Sequence, residues 1–223
     1  MSQPRITVFA AGTKTGGGSG AENLVVQSRD EHPMLEAEIV AFVSNHAEGG
    51  VHERAKRLQV PFIHFPKPWD EAGYNRVMEE SGGEWAALSG WLKLVVGLDP
   101  RRTFNIHPAS LSLLNGRFGG AGMYGHHVHE AVAEALAKGE ITESGVSMHF
   151  VTSEYDRGPV FFEERVPLTR GMTAGEIGKA VNSIEHKWQP RITSAVVNGQ
   201  IYWDGTNVSS LRTPLGYPFL PPR

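Results

Sequence analysis

The stretch from residue 6 to residue 28 constrains the fold more than any other part of the chain. A short β-rich apolar run, Ile6-Thr-Val-Phe-Ala10, leads into Gly12-Thr-Lys-Thr-Gly-Gly-Gly-Ser-Gly20, and residues 21–28 then read as a helix with Leu24 and Val25 facing inward. Strand, glycine loop and helix in that order open a βαβ unit. The alternation continues. Residues 38–44 read as a second buried strand, 50–58 as a charged surface helix and 61–65 as a third strand. Residues 70–80 read as a helix with Tyr74, Val77 and Met78 on one side, and 85–88 and 103–106 as two more short strands. This spacing predicts an α/β fold, three-layered and Rossmann-like, with a mostly parallel twisted sheet and helices on both faces.

The second half has a different texture. Residues 110–125 are glycine-rich without periodicity, too long for a routine connection, which marks a functional or mobile segment. Residues 126–139 form a helix pattern, with Val128, Val132, Ala135 and Leu136 on one face and Gly139 as its stop. Residues 145–151 and 160–167 alternate like strands. Residues 173–197 read as a long helix interrupted at Pro190, 200–204 as a terminal strand and 215–223 as an extended, proline-containing tail. Without a linker, a composition break or an internal repeat, one domain over residues 1–204 with a tail over 205–223 is the expected organisation.

Composition narrows the function classes. With 21 basic against 24 acidic residues, the formal charge is −3, no basis for binding along a nucleic-acid backbone. The absence of cysteine removes disulfides, Cys-ligated zinc, iron–sulfur clusters and any thiol nucleophile. The run from Trp91 to Leu98 is far shorter than the ~20 apolar residues of a membrane span, and Lys93 interrupts it. The first apolar run has no cleavage region behind it, so a strand fits better than a signal peptide. The expectation is a soluble, cytoplasmic protein with neither membrane nor nucleic-acid partners.

Two places carry candidate chemistry. A glycine loop ahead of a helix lets backbone N–H groups converge on an anion. No Gly-Lys-Ser/Thr triplet is present, since Lys14 follows Thr13. Gly16-x-Gly18-x-x-Ala21 has the form of a dinucleotide fingerprint, but residues 11–15 separate it from the strand, and the second strand ends in Ser44-Asn45 rather than an acidic residue. From position alone the loop is either a phosphate cradle or a surface loop that binds nothing. The second place is Phe104-Asn-Ile-His-Pro108. Asn105 and His107 are two apart on a strand, hence on one face, and Pro108 puts them at its C-terminal edge, where α/β ligands bind. Asn offers a neutral N–H to a carbonyl oxygen, and His a proton near neutral pH. The alternative is an ordinary turn with both side chains satisfied. Asp156, in the loop before Gly158 and Pro159, is either a charge partner that raises a histidine pKa or a plain turn residue. His126, His127 and His129 have only Glu130 near metal-ligand spacing and read as substrate-side or surface groups. His149 reads as a satisfied interior residue, and His186 as a partner of Glu185.

Four segments in order complete a pattern: Asn105-Ile-His-Pro-x-Ser-Leu, Gly122-Met-Tyr-Gly-His-His-Val-His129, Ser147-Met-His-Phe-Val-Thr-Ser-Glu-Tyr-Asp-Arg-Gly-Pro-Val160 and Ile184-Glu-His186. Together they closely resemble the folate-dependent phosphoribosylglycinamide formyltransferases of purine biosynthesis, from about residue 5 to residue 204. The resemblance implies the formyltransferase fold, with a nucleotide-phosphate half over about 1–100 and a catalytic and folate half over about 101–204. It implies formyl transfer from 10-formyltetrahydrofolate to the amine of glycinamide ribonucleotide, without a metal, in a monomer or homodimer whose partners are these small molecules. Asn105 and His107 correspond to the catalytic Asn and His, and Asp156 to the Asp that tunes the His. Gly18, Ser19 and Gly20 correspond to the phosphate loop, and Asn182 and Glu185 to the segment that contacts the glycinamide part. Leu92, Lys93, Leu94 and Val95, with Thr152, Ser153, Glu154 and Tyr155, correspond to the segments that hold the pterin. In that mechanism Asp156 keeps His107 cationic, and Asn105 and His107 stabilise the oxyanion. The chain departs from the pattern in four ways. Gly20 replaces an Asn, about four extra residues near 12–15 lengthen the loop, Lys93 stands where Arg is frequent, and the segment after Ser110 is longer. The competing readings are a formyltransferase for an amino-sugar nucleotide and a non-catalytic folate or nucleotide binder on the same fold.

Overall fold

β1 (Arg5–Phe9) lies inside a seven-stranded sheet that the computed structural model shows among its described residues, 2–221. The strands that follow are β2 (Glu38–Ser44), β3 (Phe62–His64), β4 (Trp85–Ser89), β5 (Thr103–His107), β6 (Glu143–Phe150) and β7 (Val160–Pro167). Their spatial order is β3-β2-β1-β4-β5-β6-β7. Neighbours from β3 to β5 pair in parallel, whereas β6 is antiparallel to both β5 and β7. The short loop between β6 and β7 leaves no room for a crossover and fixes that pair as antiparallel. The expected α/β architecture is therefore present, with its antiparallel part confined to one end.

Alternation along the strands separates two cores. Ile6, Val8, Phe104 and Ile106 face α1 (Ser19–Ser28), α2 (Gly50–Leu58), α4 (His126–Ala137) and α5 (Ala174–Val197). Phe9, Ala41, Val43 and Leu88 face α3 (Glu71–Ser81) and the irregular segment from Trp91 to Leu98. Asp70 caps α3 by accepting from the Gly73 N–H at 2.9 Å, so that helix starts one residue after its expected first residue. The chain leaves β1 toward β2 on one side and returns at β4 on the other. The loops after β1 and β4 thus diverge and open a crevice at the carboxyl ends of the strands.

Three expectations need correction. α5 runs unbroken through Pro190. Proline cannot donate to the carbonyl four residues back, but the Asn23 amide of α1 donates to that His186 carbonyl at 2.8 Å instead. Replacing Asn23 with Ala is expected to cost about 1–3 kcal/mol by stranding this carbonyl, read as a lower melting temperature; an unchanged melt would mean that the carbonyl needs no Asn23. Residues 200–204 do not join the sheet. They hold a single antiparallel bridge, Tyr202 to Arg212, because the Asp204 carboxylate turns the chain by accepting from Thr206 and Asn207 N–H groups. The tail folds back rather than simply extending. The Glu163 N–H donates to the Phe219 carbonyl at 2.7 Å, and the Phe219 ring packs on Trp188 and Phe162. Residues 222 and 223 of the expected tail lie outside the described residues.

Candidate active site

A cavity of about 630 Å³ fills the crevice, walled by the glycine loop, the ends of β4 and β5, residues 120–126 and one side of α5. Asn105, His107, Tyr155 and Asp156 line it, as do Gly18, Ser19, Gly20, Leu92, Asn182 and Glu185. Asn105 and His107 share a face of β5, as their spacing predicts. Antiparallel pairing then sets His149 of β6 directly across from Asn105.

This register makes a four-residue cluster. The Asn105 amide nitrogen lies 3.1 Å from His149 Nε2 and 3.5 Å from Asp156 Oδ1, and His149 Nε2 lies 3.3 Å from the same carboxylate oxygen. His149 Nδ1 faces the Phe150 carbonyl at 2.8 Å. A carbonyl only accepts, so Nδ1 carries a proton and Nε2 is the nitrogen that meets Asn105 and Asp156. His107 Nε2 likewise donates to the Phe118 carbonyl at 2.6 Å, while its Nδ1 lies 3.7 Å from Asp156 Oδ2. The second carboxylate oxygen accepts from the Gly120 N–H at 2.9 Å. Asp156 itself has φ of +54°, a left-handed conformation uncommon for a residue with a side chain and concentrated at functional sites.

The aperiodic segment 110–125 thus contacts both His107 and Asp156. Its start is pinned: the Leu111 N–H donates to Ser147 Oγ at 2.9 Å, and the Ser112 hydroxyl donates to the buried Glu163 carboxylate at 2.6 Å. Beyond a 3-10 turn at Leu113–Gly116, no regular element forms before α4.

Charge in the cluster follows from burial and neighbours. Burial pushes the Asp156 carboxyl up. The His149 hydrogen bond, the charges of His107 and His149 and the Gly120 N–H outweigh it and hold the group at about 2. Asp156 is an anion at neutral pH. Burial lowers the His107 pKa, and Asp156 and the Phe118 carbonyl offset only part of that. Set against the cationic His107 that the resemblance implies, the balance is a His107 pKa below its ordinary value, and the Nδ1 position facing the carboxylate is where its second proton binds.

The segments expected to hold the pterin run between two cavities. Leu92 and Tyr155 line the larger one, and Val95, Thr152 and Ser153 line a second of about 330 Å³ with Val96, Leu98 and Val151. Lys93, Leu94 and Glu154 line neither. Leu94 instead gives its carbonyl to the Tyr74 hydroxyl at 2.9 Å, and that hydroxyl accepts from Trp91 Nε1 at 2.9 Å. Lys93 Nζ lies 4.4 Å from the Trp69 ring centre, a cation–π contact. These bonds fix the segment so that its neighbours on either side face the cavities.

The opposite wall is the glycine loop and α5. Gly18 caps α1 with φ of +79°, favourable for glycine, and the first N–H groups of the helix lack intrahelical acceptors. The lengthened loop docks on α2, through Gly50 N–H to the Thr13 carbonyl at 3.1 Å and Arg54 Nε to the Gly17 carbonyl at 2.9 Å. At Gly20 a Cβ would sit 2.3 Å from Ser89 Oγ and 2.9 Å from Gln189 Oε1, so both side-chain ends would have to turn aside for an asparagine.

On α5, Asn182 Nδ2 donates to Glu185 at 3.2 Å, and burial pushes the Glu185 carboxyl up to about 7 against that bond. Because the folded-state value exceeds the ordinary 4.5, folding favours the protonated acid. This contribution is complete below about 4.5 and is lost as pH rises through about 7. Glu185→Gln is therefore expected to melt several degrees above the parent at pH 8 and close to it at pH 4.5, measured by thermal unfolding across pH. Equal shifts at both values would detach the effect from ionisation.

Sequence reasoning missed His149 and the Phe118 carbonyl. His149 looked interior because strand register was not available, and a backbone acceptor leaves no residue-type signal. His126 and His129 line the larger cavity, with burial lowering His129 to about 4. Among the described residues no group of three or more His, Cys, Asp or Glu side chains is placed to hold a metal, and no helix is long and apolar enough to cross a membrane.

Comparison with known proteins identifies the relatives of this arrangement. The profile of the formyl transferase family matches residues 5–193. A chloroplastic phosphoribosylglycinamide formyltransferase of Arabidopsis thaliana is 32% identical over 210 residues, covering 89% of this chain and 67% of that protein. The chain thus spans about two thirds of that relative's length. The crystal structure of glycinamide ribonucleotide transformylase 1 from Symbiobacterium toebii has a TM-score of 0.77 at 24% identity, covering 95% of this chain and 94% of the other, a likeness of fold. Phosphoribosylglycinamide formyltransferase from Streptococcus pneumoniae TIGR4 has a TM-score of 0.69 at 27% identity, covering 87% of this chain and 99% of its own. A profile match over most of the length, on an α/β sheet that places Asn105, His107 and Asp156 in one cleft, makes this chain a member of the formyl transferase family.

Proposed function

We propose that this chain transfers the formyl group of 10-formyltetrahydrofolate to the amine of glycinamide ribonucleotide, a step of purine biosynthesis. The observation that carries the reading is the cluster of Asn105, His107, His149 and Asp156 in a cleft that also holds the start of α1 and the Asn182–Glu185 pair. Both cavities fall within the size range of small-molecule sites. The smaller, with Val95, Val96, Leu98 and Val151 around Thr152 and Ser153, suits a flat ring system with a polar edge. Residues 1–204 act as one domain in this reading, the phosphate bound by the Gly18–Gly20 N–H groups in the first half and the folate held by the second.

The chain's residues then have definite tasks. Asn105 donates its amide N–H toward the formyl oxygen, where negative charge grows as the amine nitrogen bonds to the formyl carbon. His149 Nε2, at 3.1 Å, holds that amide in place by accepting one of its two N–H groups, which leaves the other for the formyl oxygen. The growing charge raises the proton affinity of His107, and the proton shed by the amine enters the position between His107 Nδ1 and Asp156, through water where needed. The same proton goes to the folate nitrogen as its bond to the formyl carbon breaks. Asp156 stays ionised throughout, and no bond to the enzyme forms.

The test is acceptor choice. Purified protein with 10-formyltetrahydrofolate should release tetrahydrofolate when glycinamide ribonucleotide is added, and not with an amino-sugar nucleotide. Release with the amino-sugar nucleotide alone would move the chain to the other formyltransferase reading. Binding of both ligands without release would make it a binder.

A further inference from the structure

Residues 110–125 supply two backbone contacts to the catalytic cluster. The Phe118 carbonyl meets His107 Nε2, and the Gly120 N–H meets Asp156. Such groups are placed only as well as the chain that carries them, and here that chain forms no regular element beyond one 3-10 turn. The turn is itself strained. Leu114 has φ of +47° and Asn115 of +57°, a left-handed pair that leucine disfavours, and such conformations persist only where the surroundings over-determine them. The turn must therefore be held at both ends. The fully buried Phe118 ring holds the far end.

The near end is held by Glu163. His107 on β5, Ser147 on β6 and Glu163 on β7 stand opposite one another in register and form a row across one face of the sheet. The Glu163 side chain is 1% exposed, with Oε1 3.0 Å from Arg165 Nη2. Oε1 also accepts from the Ser112 hydroxyl at 2.6 Å, and Oε2 accepts from the Ser112 N–H at 3.1 Å and faces Ser147 Oγ at 3.0 Å. Arg165 ties back to the same place, donating from Nη2 to Ser112 Oγ at 2.7 Å. From outside, the tail fixes the Glu163 backbone through the Phe219 carbonyl. For stability alone, a well-packed apolar side chain in place of a buried ion pair often serves as well or better. What the carboxylate adds is a fixed location for Ser112, through charge-assisted hydrogen bonds, just before the left-handed pair.

The geometry points to Glu163 as a positioning residue for formyl transfer: by clamping Ser112 it sets the left-handed turn, and with it the Phe118 carbonyl against His107 and the Gly120 N–H against Asp156. The inference rests on the function proposed above and adds a residue that acts without touching either ligand. Glu163 lines neither cavity. Its loss should therefore slow the chemical step and leave the folate site, built from other segments, as it was.

The experiment compares the parent with Glu163→Ala, Glu163→Gln and Ser112→Ala. It reads kcat, the affinity for a non-reactive folate analogue, and amide hydrogen exchange at Gly120 and in β1. Glu163→Ala is expected to lower kcat roughly 10- to 100-fold, the scale of a small misplacement of reacting groups, with the analogue bound as tightly as before. The Gly120 amide should exchange faster while the amides of β1 keep their protection. Glu163→Gln should recover most of the activity, because its oxygen still accepts the Ser112 N–H and its amide nitrogen can donate to Ser112 Oγ. Ser112→Ala, which removes the hydroxyl and leaves the N–H, should lose roughly threefold in kcat, the worth of a single hydrogen bond. It decides the matter if Glu163→Ala fails to fold. Parent-like kcat in the alanine variants overturns the inference, as does exchange that quickens equally in β1 and at Gly120, the mark of a purely structural residue. A loss as large in Glu163→Gln as in Glu163→Ala would assign the effect to charge rather than to the hold on Ser112, and overturns it too. If the parent formylates no amine, the proposed function falls, and the exchange data alone decide whether Glu163 holds the segment. If the parent is active and the variants match it, only this inference falls.

Discussion

Asp156→Asn is expected to lower kcat by roughly 10²–10⁴, the range that a positioned proton acceptor contributes, while a non-reactive folate analogue binds as tightly as before. The substitution keeps shape and the hydrogen bond from Gly120 but removes the charge that His107 and His149 face. Burial already lowers the His107 pKa, and Asp156 is the main opposing influence. Without it, the position between Nδ1 and the side chain holds a proton poorly, and the amine has nowhere close to release one. Since its neighbours hold the Asp156 carboxyl at about 2, its ionisation is expected to leave no inflection between pH 4 and 9 in the parent rate profile. Full activity in the variant would reduce Asp156 to the turn residue that its Gly158-Pro159 setting also allows.

Asn105→Ala is expected to cost about 10²–10³ in kcat, the typical loss for one oxyanion donor. kcat and kcat/KM should fall together, because the amide N–H matters chiefly when charge has moved to the oxygen. A rise in KM alone would instead make Asn105 a ground-state binding residue. His149 acts through Asn105 and Asp156, so His149→Phe should give a smaller loss. Combined with Asn105→Ala it should add little, since the group it positions is already gone.

How much of this was legible in the sequence depended on the range of the interaction. Strand β2 and helix α2 follow from local pattern and occur at their expected bounds, 38–44 and 50–58. The glycine loop and the shared face of Asn105 and His107 are also local facts. Features set by distant partners were not legible. Pro190 reads as a break until Asn23, far off in sequence, caps the freed carbonyl. His149 reads as an interior side chain until register sets it across from Asn105. Lys93 and Leu94 belong to the matched stretch by sequence, yet Trp69 and Tyr74 turn them away from both cavities. The charge state of His107 depends on two competing effects, burial and Asp156, whose balance only the packed structure sets.

The most direct test of the account is the fate of the transferred carbon. With 10-formyltetrahydrofolate labelled in its formyl group and glycinamide ribonucleotide, a single turnover should place the label in the N-formylated nucleotide. One tetrahydrofolate should appear per formyl group, and Asp156→Asn should slow both products equally. Label appearing as free formate, at a rate independent of the amine, would mean that water is the acceptor and would contradict the assignment of this cleft to amine formylation.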